Sequence, residues 1–331
     1  MRRLLTICAI LASVCAVAAT PQKGKTTLRV GTYDITNSFN RQTQVKSGKM
    51  SPVRLWCHSV SAVADAILEA DCDIMGIQDV CDTIAGRLDG VKPLITVLRE
   101  KGGDYEWLVL SNKNPSYPLE GKMSNGTGIL WRSSRFELRD YGIYWLSGTF
   151  DKPGRAKEFK YGGKHASMMW VRLFDKDAQK ELVFTSAGVN GPSQNSKTGK
   201  VTYHEINVAN CRNILEYMNA DIAPKGTPSV ITLNARNAPS YPGYKALTSS
   251  RWFDVYDRLK EEGSLGEADG KTIDTMNSLD EKKLQGGRPD HILEDGFSVK
   301  SYSVLRKKYR TADGTQHYPA LHFPVIAELQ Y

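Results

Sequence analysis

The sequence predicts an α/β protein in which strands and helices are layered around a buried core. Strand-like and helix-like segments are distributed along both halves of the 331 residues, and neither a low-complexity linker nor an internal repeat separates them. Hydrophobic residues make up 40% and charged residues 24% of the chain. This composition is ordinary for a globular protein and excludes disordered, collagen-like and coiled-coil classes. We therefore expect a single layered domain over residues 20–331, with both sheet faces covered.

The first elements follow from hydrophobic periodicity. Residues 27–33 alternate between apolar and polar side chains, which predicts a strand. A serine–proline pair then supplies an N-cap with proline at the first helical position, and apolar residues at spacings of three and four predict an amphipathic helix over 52–70. A short buried strand over 73–77 and a second helix over 91–99 complete this part of the chain.

The remainder of the chain is richer in strands. Residues 201–220 carry a helical pattern, and a short helix is predicted over 244–249. The predicted strands are 107–110, 128–131, 136–144, 168–174, 182–186, 230–233, 291–293, 298–305 and 324–329. Helices in both halves, distributed among these strands, provide the cover that the two faces of a buried sheet require.

The N-terminal segment has the form of a secretory signal peptide. Residues 1–3 give a positive start, residues 4–19 are almost entirely apolar, and small residues at 16–18 suit a signal peptidase. We expect cleavage after Ala18 or Ala19, with residues 1–19 removed. No later stretch reaches the ~18 uninterrupted apolar residues of a membrane span. The mature protein is therefore expected to be secreted or periplasmic.

Charge and cysteine content exclude further classes. The formal charge of +8 falls to +6 when the two arginines of the signal peptide are removed, and so mild an excess is not a nucleic-acid signature. Four cysteines remain, without a C-x-x-C pair, which argues against a disulfide framework and against a zinc site. They are Cys57, Cys72, Cys81 and Cys211. Cys211 is predicted to be a buried free thiol on a helix, while the pairing of the others stays open.

Five segments, taken in chain order, resemble the motifs of one enzyme superfamily. They are LRVGTYDI (28–35), DIMGIQDV (73–80), ILWR with RFEL (129–138), RPDHI (288–292) and YPALHFPV (318–325). A single motif of this kind is a weak signal, but five in order over residues 27–329 are specific. The chain resembles the endonuclease/exonuclease/phosphatase superfamily, a group of metal-dependent phosphodiesterases and phosphatases.

This resemblance implies a four-layer α/β/β/α sandwich, in which two mixed, mainly antiparallel sheets carry helices on their outer faces. It also places the functional site at one edge of the two sheets. The family uses a divalent cation, usually Mg²⁺, held by carboxylate and amide oxygens, to offset charge on the phosphoryl group. A histidine oriented by an aspartate activates water, and further polar side chains contact the phosphate.

At the metal and first histidine positions this chain departs from the family. Asp34 stands where the family has an asparagine near the metal, and Asp79 replaces the metal-binding glutamate with a shorter carboxylate. Both are candidate metal ligands, with a turn cap as the structural alternative for Asp79. Asn125 replaces a carboxylate that orients a histidine, and Ala187 replaces that histidine. Both members of one coupled pair are therefore absent.

In the last motifs some of the family's site residues are replaced and others are kept. Asn234 replaces an aspartate that positions water or metal, and Arg236 replaces an asparagine and adds a permanent positive charge. Asp290 and His322 survive as candidate catalytic residues, but Leu321 replaces the aspartate beside the histidine. On this interpretation His322 lacks the carboxylate that would control its tautomer. The structural alternatives are a backbone hydrogen bond for His322 and an ion pair with a nearby arginine for Asp290.

These substitutions predict a secreted pseudoenzyme whose old active-site cleft binds an anionic or phosphorylated small molecule or polymer. Arg236 is the candidate anion-binding residue, and the alternative is an internal ion pair in which it neutralises Asp34, Asp79 or Asp290. A different class of function is a divergent phosphodiesterase or phosphatase that uses the surviving residues with Mg²⁺ or another divalent cation. We expect metal affinity to be weak. A purely structural or partner-binding module is the third class.

Overall fold

Twelve strands form two six-stranded sheets in the part of the chain that the computed structural model describes. The described residues are 26–35, 52–80, 92–110, 126–149, 152–153, 166–191, 193–194, 201–202, 204–236, 239–266, 287–312 and 314–331. The strands of the sheets are β1 (Thr27–Asp34), β2 (Ile74–Val80), β3 (Tyr105–Leu110), β4 (Gly126–Arg132), β5 (Phe136–Trp145), β6 (Ser167–Asp175), β7 (Lys180–Gly188), β8 (Ser229–Asn234), β9 (Phe253–Asp254), β10 (Asp290–Asp295), β11 (Ser298–Val304) and β12 (Val325–Gln330). The predicted signal peptide 1–19 and Asn125 lie outside the described residues.

The order of the strands brings particular strand ends together. The first sheet has the order β11-β12-β1-β2-β4-β3 and the second the order β9-β10-β8-β7-β6-β5. β1 pairs in parallel with β2, and β7 with β8, whereas the other neighbours within both sheets are antiparallel. The mixed, mainly antiparallel sheets implied by the resemblance are confirmed.

Helices cover the outer face of each sheet. They are α1 (Pro52–Ala70), α2 (Leu94–Glu100), α3 (His204–Tyr217, continued by a π-helical turn at Met218–Ile222) and α4 (Pro242–Leu247). A fifth helix, α5 (Val255–Glu261), instead buries Val255 and Leu259 in the cluster between the two sheets. Apolar residues of α1 and α2 pack against the first sheet, and those of α3 and α4 pack against the second. The four-layer α/β/β/α sandwich is thereby confirmed.

The core between the sheets is apolar over most of its length. Alternate residues of each strand point inward, so Leu28 and Val30 of β1 meet Phe184 of β7 and Val171 of β6 in one buried cluster. Burial of each such side chain contributes about 1.5–3 kcal/mol. This core fixes the distance between the sheets and therefore the width of the site at their edge.

Towards that edge the inter-sheet core becomes polar. Thr32 Oγ1 donates to Gln78 Oε1 at 3.0 Å, and Gln78 Nε2 donates across to Ser186 Oγ at 3.1 Å. Gly76 allows this close approach, because a Cβ at that position would lie 2.0 Å from Oγ1 of Thr232 on the opposite sheet. The two sheets are thus tied directly beneath the site.

Most predicted elements are present with small shifts of their ends, and one helix was missed. The helix predicted over 201–220 begins at His204 and ends in the π-helical turn. Helix α5 was not predicted, since only Val255 and Leu259 of its 7 residues are buried. Cys211 is a buried free thiol, as predicted, and so is Cys72. Within the described residues, no helix has the length and apolar character needed to cross a membrane.

Candidate functional site

The two sheets bring buried polar side chains to one shared edge. β1 ends at Asp34, and β2 carries Asp79 one residue before its end. In the second sheet Asn234, the last residue of β8, pairs in register with Asp290, the first residue of β10. His322 lies three residues before β12, at the same edge. All five side chains are buried, so the residues selected by the resemblance do converge.

His322 has a carboxylate partner, which corrects the prediction made from its neighbour Leu321. Nδ1 of His322 lies 2.7 Å from Oδ2 of Asp290, with both side chains buried. The prediction failed because it looked for the partner at the adjacent position, whereas the sandwich supplies it from the opposite sheet. Asp290 is also not paired with Arg288, whose guanidinium instead bonds Asp254.

The protonation of His322 follows from its surroundings. Burial acts to lower the pKa of the imidazole, but the neighbouring carboxylates of Asp290 and Asp34 outweigh it and raise that pKa from 6.5 to about 9. Arg236 opposes them to a smaller extent. At neutral pH the ring is therefore protonated. An imidazolium donates hydrogen bonds to an anion, but it cannot accept a proton from water as a general base.

Asn234 ties the first sheet to the loop after β8. Its side-chain Nδ2 donates a hydrogen bond to Oδ2 of Asp34, and its Oδ1 accepts one from the backbone N–H of Arg236 at 2.7 Å. An aspartate at this position would face Asp34 with a second negative charge. The amide replaces that repulsion with a hydrogen bond, so the site is held together without a cation between these two side chains.

Arg236 occupies the mouth of the site. Its Nη2 lies 3.6 Å from Oδ1 of Asp79, and its side chain is 28% exposed. Nε is buried and has no hydrogen-bond partner among the described residues. The long side chain packs along the backbone of Gly191, where an added Cβ would lie 3.1 Å from Cβ of Arg236. The guanidinium is thus partly neutralised by Asp79 and still faces solvent.

The backbone around Asp79 and Arg236 is held in an uncommon conformation. The φ angles of these residues are +63° and +54°, in the left-handed region that non-glycine residues seldom adopt. Asp79 lies in a register shift between Gln78 and Val80, a local irregularity that re-aims a side chain at a strand end. Both members of the ion pair are therefore turned towards the site by local backbone geometry.

A buried amide network behind Arg236 was not predicted. Asn207 Nδ2 of α3 donates to the backbone carbonyls of Asn190 at 2.7 Å and Ala235 at 3.0 Å, joining the segments after β7 and β8. Asn210, one turn later, accepts from the backbone N–H of Asn190 at 3.1 Å. The signal was present in the sequence as asparagines three residues apart on a predicted helix, at positions that would otherwise face the core.

The position that the family gives to a histidine has become part of the core. Ala187 is fully buried and packs in the cluster between the second sheet and its helices. Its proposed partner position, Asn125, lies outside the described residues. An alanine offers neither a proton acceptor nor a donor, so residue 187 contributes no chemistry to the site.

The residues present do not fit a divalent cation. Ligand atoms of Asp34, Asp290 and His322 lie within 4.8 Å of one another, but His322 and Asp290 are paired with each other and Asp34 accepts from Asn234. Mg²⁺ requires near-octahedral oxygen ligands and repels neighbouring cations. Asp79 is a third carboxylate at this edge. Two cationic side chains already balance two of the three carboxylates, because His322 pairs with Asp290 and Arg236 adjoins Asp79.

Comparisons with known proteins connect this arrangement to a described fold. The sequence matches no protein-family model and no curated protein. An endonuclease/exonuclease/phosphatase family protein from Bacteroides thetaiotaomicron superposes with a TM-score of 0.68 at 20% identity, covering 93% of this chain and 99% of that one. A mannosyl-6-phosphatase from the same organism gives 0.67 at 21% identity, covering 92% and 100%.

The chain has the endonuclease/exonuclease/phosphatase fold. A more distant structure, the human Nocturnin catalytic domain with a bound sulfate anion, agrees, with a TM-score of 0.58 at 13% identity over 93% of this chain and 97% of that one. The fold expected from the five motifs is thus confirmed. At these identities the comparisons establish the endonuclease/exonuclease/phosphatase fold alone, and the function has to be argued from the side chains at the sheet edge.

Proposed function

We propose that this protein is a secreted, non-hydrolytic member of the endonuclease/exonuclease/phosphatase superfamily that binds an anionic, phosphorylated ligand without a divalent metal ion. The observation that carries the proposal is the position of Arg236. Its guanidinium lies 3.6 Å from Asp79 at the mouth of the site, where the family has a metal ion near a glutamate, and it is partly exposed.

Two cationic donors support anion binding. The guanidinium of Arg236 has a buried Nε without a partner among the described residues and offers a planar fork that matches phosphate oxygens. His322 supplies an imidazolium at neutral pH, because its pKa is raised to about 9 by Asp290 and Asp34. A phosphate group bound between these donors would gain charge-assisted hydrogen bonds from both.

The same features argue against hydrolysis. A protonated His322 cannot activate water, Ala187 has no functional group, and Arg236 repels the metal ion that would polarise the phosphate. Loss of one donor to a developing oxyanion lowers an enzymatic rate by ~10²–10³-fold, and loss of a group that acts as base or acid lowers it by a further ~10²–10⁴-fold. These effects do not add, so they give a direction: turnover of phosphate esters should be negligible.

One observation favours the alternative, a divergent phosphodiesterase or phosphatase. The His322–Asp290 pair is intact at 2.7 Å, and a histidine with such a partner is a general base once it is neutral. Since its pKa is raised to about 9, hydrolysis by this route would increase with pH up to that value. A pH–rate profile that rises through pH 9 and disappears in His322→Gln would support this alternative and contradict a non-hydrolytic protein.

Calorimetric titration with inorganic phosphate tests the proposal directly. We expect wild-type protein to bind phosphate equally well with Mg²⁺ and with a chelator, and Arg236→Ala to weaken binding at least ~10-fold through loss of a charged hydrogen bond. Arg139→Ala is the matched control, because Arg139 is exposed on the outer edge strand β5 and pairs with Glu137. Phosphate binding that requires Mg²⁺, or that survives in Arg236→Ala, would contradict the proposal.

Export is part of the same proposal. The positive start at 1–3, the apolar run over 4–19 and the small residues at 16–18 support removal of residues 1–19. Expression of the full chain followed by intact-mass analysis of the periplasmic and cytosolic fractions tests it. Mature protein that still begins at Met1 and remains in the cytosol would contradict secretion.

A further inference from the structure

Two polar atoms of the site are buried and have no hydrogen-bond partner among the described residues. One is Nε of Arg236, which is a donor, and the other is Oδ1 of Asp290, which is an acceptor. The side chain of Asp290 is almost completely enclosed, since the residue is 1% exposed. A buried acceptor that stays unpaired is costly, because nothing replaces the water it has lost. The two atoms therefore indicate a ligand that both accepts and donates hydrogen bonds.

The carboxylate of Asp290 is held at the site through its other oxygen. Oδ2 lies 2.7 Å from Nδ1 of His322, and ligand atoms of Asp290, His322 and Asp34 lie within 4.8 Å of one another. Because Nδ1 is directed at Asp290, the N–H that the imidazolium offers to an anion is the one at Nε2. An anion held by His322 and Arg236 would therefore lie close to a carboxylate oxygen whose hydrogen-bonding capacity is unused.

The charge of this carboxylate determines which anions suit the site. Sulfate, sulfate esters and phosphodiesters present only acceptor oxygens, so each would bring lone pairs towards Oδ1 of Asp290. Phosphate and phosphate monoesters can carry a P–O–H group, which donates to a carboxylate in a short, charge-assisted hydrogen bond. The remaining oxygens of the same group still accept from the guanidinium of Arg236. A protonated phosphate group thus satisfies both unpaired atoms.

We propose that Asp290 Oδ1 accepts a hydrogen bond from a P–O–H group of the ligand, and that the site thereby selects phosphate or a phosphate monoester over sulfate, sulfate esters and phosphodiesters. The inference rests on the proposed function and specifies its ligand. It gives Asp290 a role in specificity in addition to its hydrogen bond with His322. The internal phosphates of nucleic acids are disfavoured, because they are diesters and carry no such proton.

Methyl phosphate and methyl sulfate are matched probes for this selection. At pH about 5 a phosphate monoester, whose second pKa is about 6, has one negative charge and one proton. Methyl sulfate has the same shape and charge without the proton. In calorimetric titrations of the full-length protein, methyl phosphate should bind at least ~10-fold more tightly than methyl sulfate, which is about the value of one charged hydrogen bond.

Three further anions extend the comparison. Dimethyl phosphate, a diester, should bind as weakly as methyl sulfate, although it contains phosphorus. Inorganic phosphate should be preferred over sulfate, because it keeps a proton at this pH and sulfate does not. The affinities of inorganic phosphate and methyl phosphate, compared with each other, distinguish a free ion from an ester as the preferred ligand.

Variants at Asp290 test whether this residue sets the preference. Asp290→Asn and Asp290→Ala should reduce the ratio of the methyl phosphate and methyl sulfate affinities to less than ~3-fold, because neither keeps an anionic acceptor. A weaker positive charge on His322 affects both anions alike, so the ratio is the informative quantity. Asp295→Asn is the matched control and should keep the ratio, since Asp295 lies at the other end of β10 and pairs with Arg251.

The outcomes separate this inference from the proposed function. Equal binding of methyl phosphate and methyl sulfate to the wild-type protein overturns the selection by Asp290 and leaves an anion site in place; this comparison needs no variant. A preference that persists in both Asp290 variants overturns it too, as expected if a buried water donates to Oδ1. Arg236→Ala should weaken both probes and preserve their ratio. If it leaves every affinity unchanged, the anion site itself is wrong.

Discussion

Removal of the charge on Asp290 is predicted to abolish a pH-dependent part of the stability of the protein. In Asp290→Asn the side chain keeps its shape, but His322 loses the neighbouring carboxylate that does most to raise its pKa. That pKa is about 9 in the folded protein, compared with 6.5 for an ordinary histidine. Because the folded value exceeds the unfolded one, the folded state binds the proton more tightly and is stabilised by it.

The magnitude follows from the two pKa values. One unit corresponds to about 1.4 kcal/mol, so the shift from 6.5 to about 9 amounts to about 3 kcal/mol of unfolding free energy. This contribution is fully present below pH 6.5 and is lost as the pH rises to about 9. In Asp290→Asn we expect less than about 1 kcal/mol of such loss, because Asp34 alone then favours the charged ring against burial.

Urea unfolding at pH about 6 and about 10 measures this difference. Asp295→Asn is the matched control, since it makes the same substitution at the other end of β10, where Asp295 pairs with Arg251. Between these two pH values wild-type protein and Asp295→Asn should lose about 2 kcal/mol or more beyond what Asp290→Asn loses. The buried thiols of Cys72 and Cys211, whose pKa values are raised by burial, destabilise all three proteins alike at the higher pH. An equal loss in all three proteins would refute the reasoning, as would an NMR titration of His322 that is unchanged in Asp290→Asn.

Three further predictions concern other parts of the molecule. Arg236→Asn should raise Mg²⁺ affinity at least ~10-fold by removing the cation beside Asp79, and calorimetry that detects no gain would show that this charge does not limit metal binding. Arg135→Leu should lower the unfolding free energy by about 3–5 kcal/mol, because it leaves the fully buried carboxylate of Asp175 without its bidentate partner at 2.8 and 3.1 Å. Urea denaturation measures this loss, and a value under ~1 kcal/mol would show that the ion pair contributes little to stability. Asn207→Leu should cost about 1–3 kcal/mol by leaving two buried carbonyls unpaired, and it should also weaken phosphate binding, an effect that a purely structural role would not produce.

The fold could be predicted from the sequence because its strands and helices carry their signals locally. Alternation in β1 and the apolar spacing of α1 need no knowledge of distant residues. Helix α5 shows the limit of this information. Its N-cap, Asp254, accepts from the backbone N–H groups of Tyr256 and Asp257, but two buried residues are too few to define a period. The cap signal alone did not identify the helix.

The sequence indicated which residues form the site, but it did not indicate which of them are hydrogen-bonded to each other. The motif positions located Asp34, Asp79, Asp290 and His322 correctly at one edge, since each ends or precedes a strand. The His322–Asp290 hydrogen bond joins two sheets across 32 positions of sequence, and the expected partner was sought next to the histidine instead. Hydrogen-bond partners depend on how the sheets pack, which local patterns do not encode.

The composition of the site argues for a retained function rather than for stability. Buried ion pairs are expensive to desolvate, and well-packed apolar residues in their place are often neutral or stabilising by 1–4 kcal/mol. A chain that had lost all use for this edge would be better stabilised by such residues. Here three buried carboxylates are kept beside a protonated His322 and a partly exposed Arg236. On the function proposed here, the cationic side chains attract an anion and no neutral base is available to hydrolyse it, and that combination is what a binding protein requires.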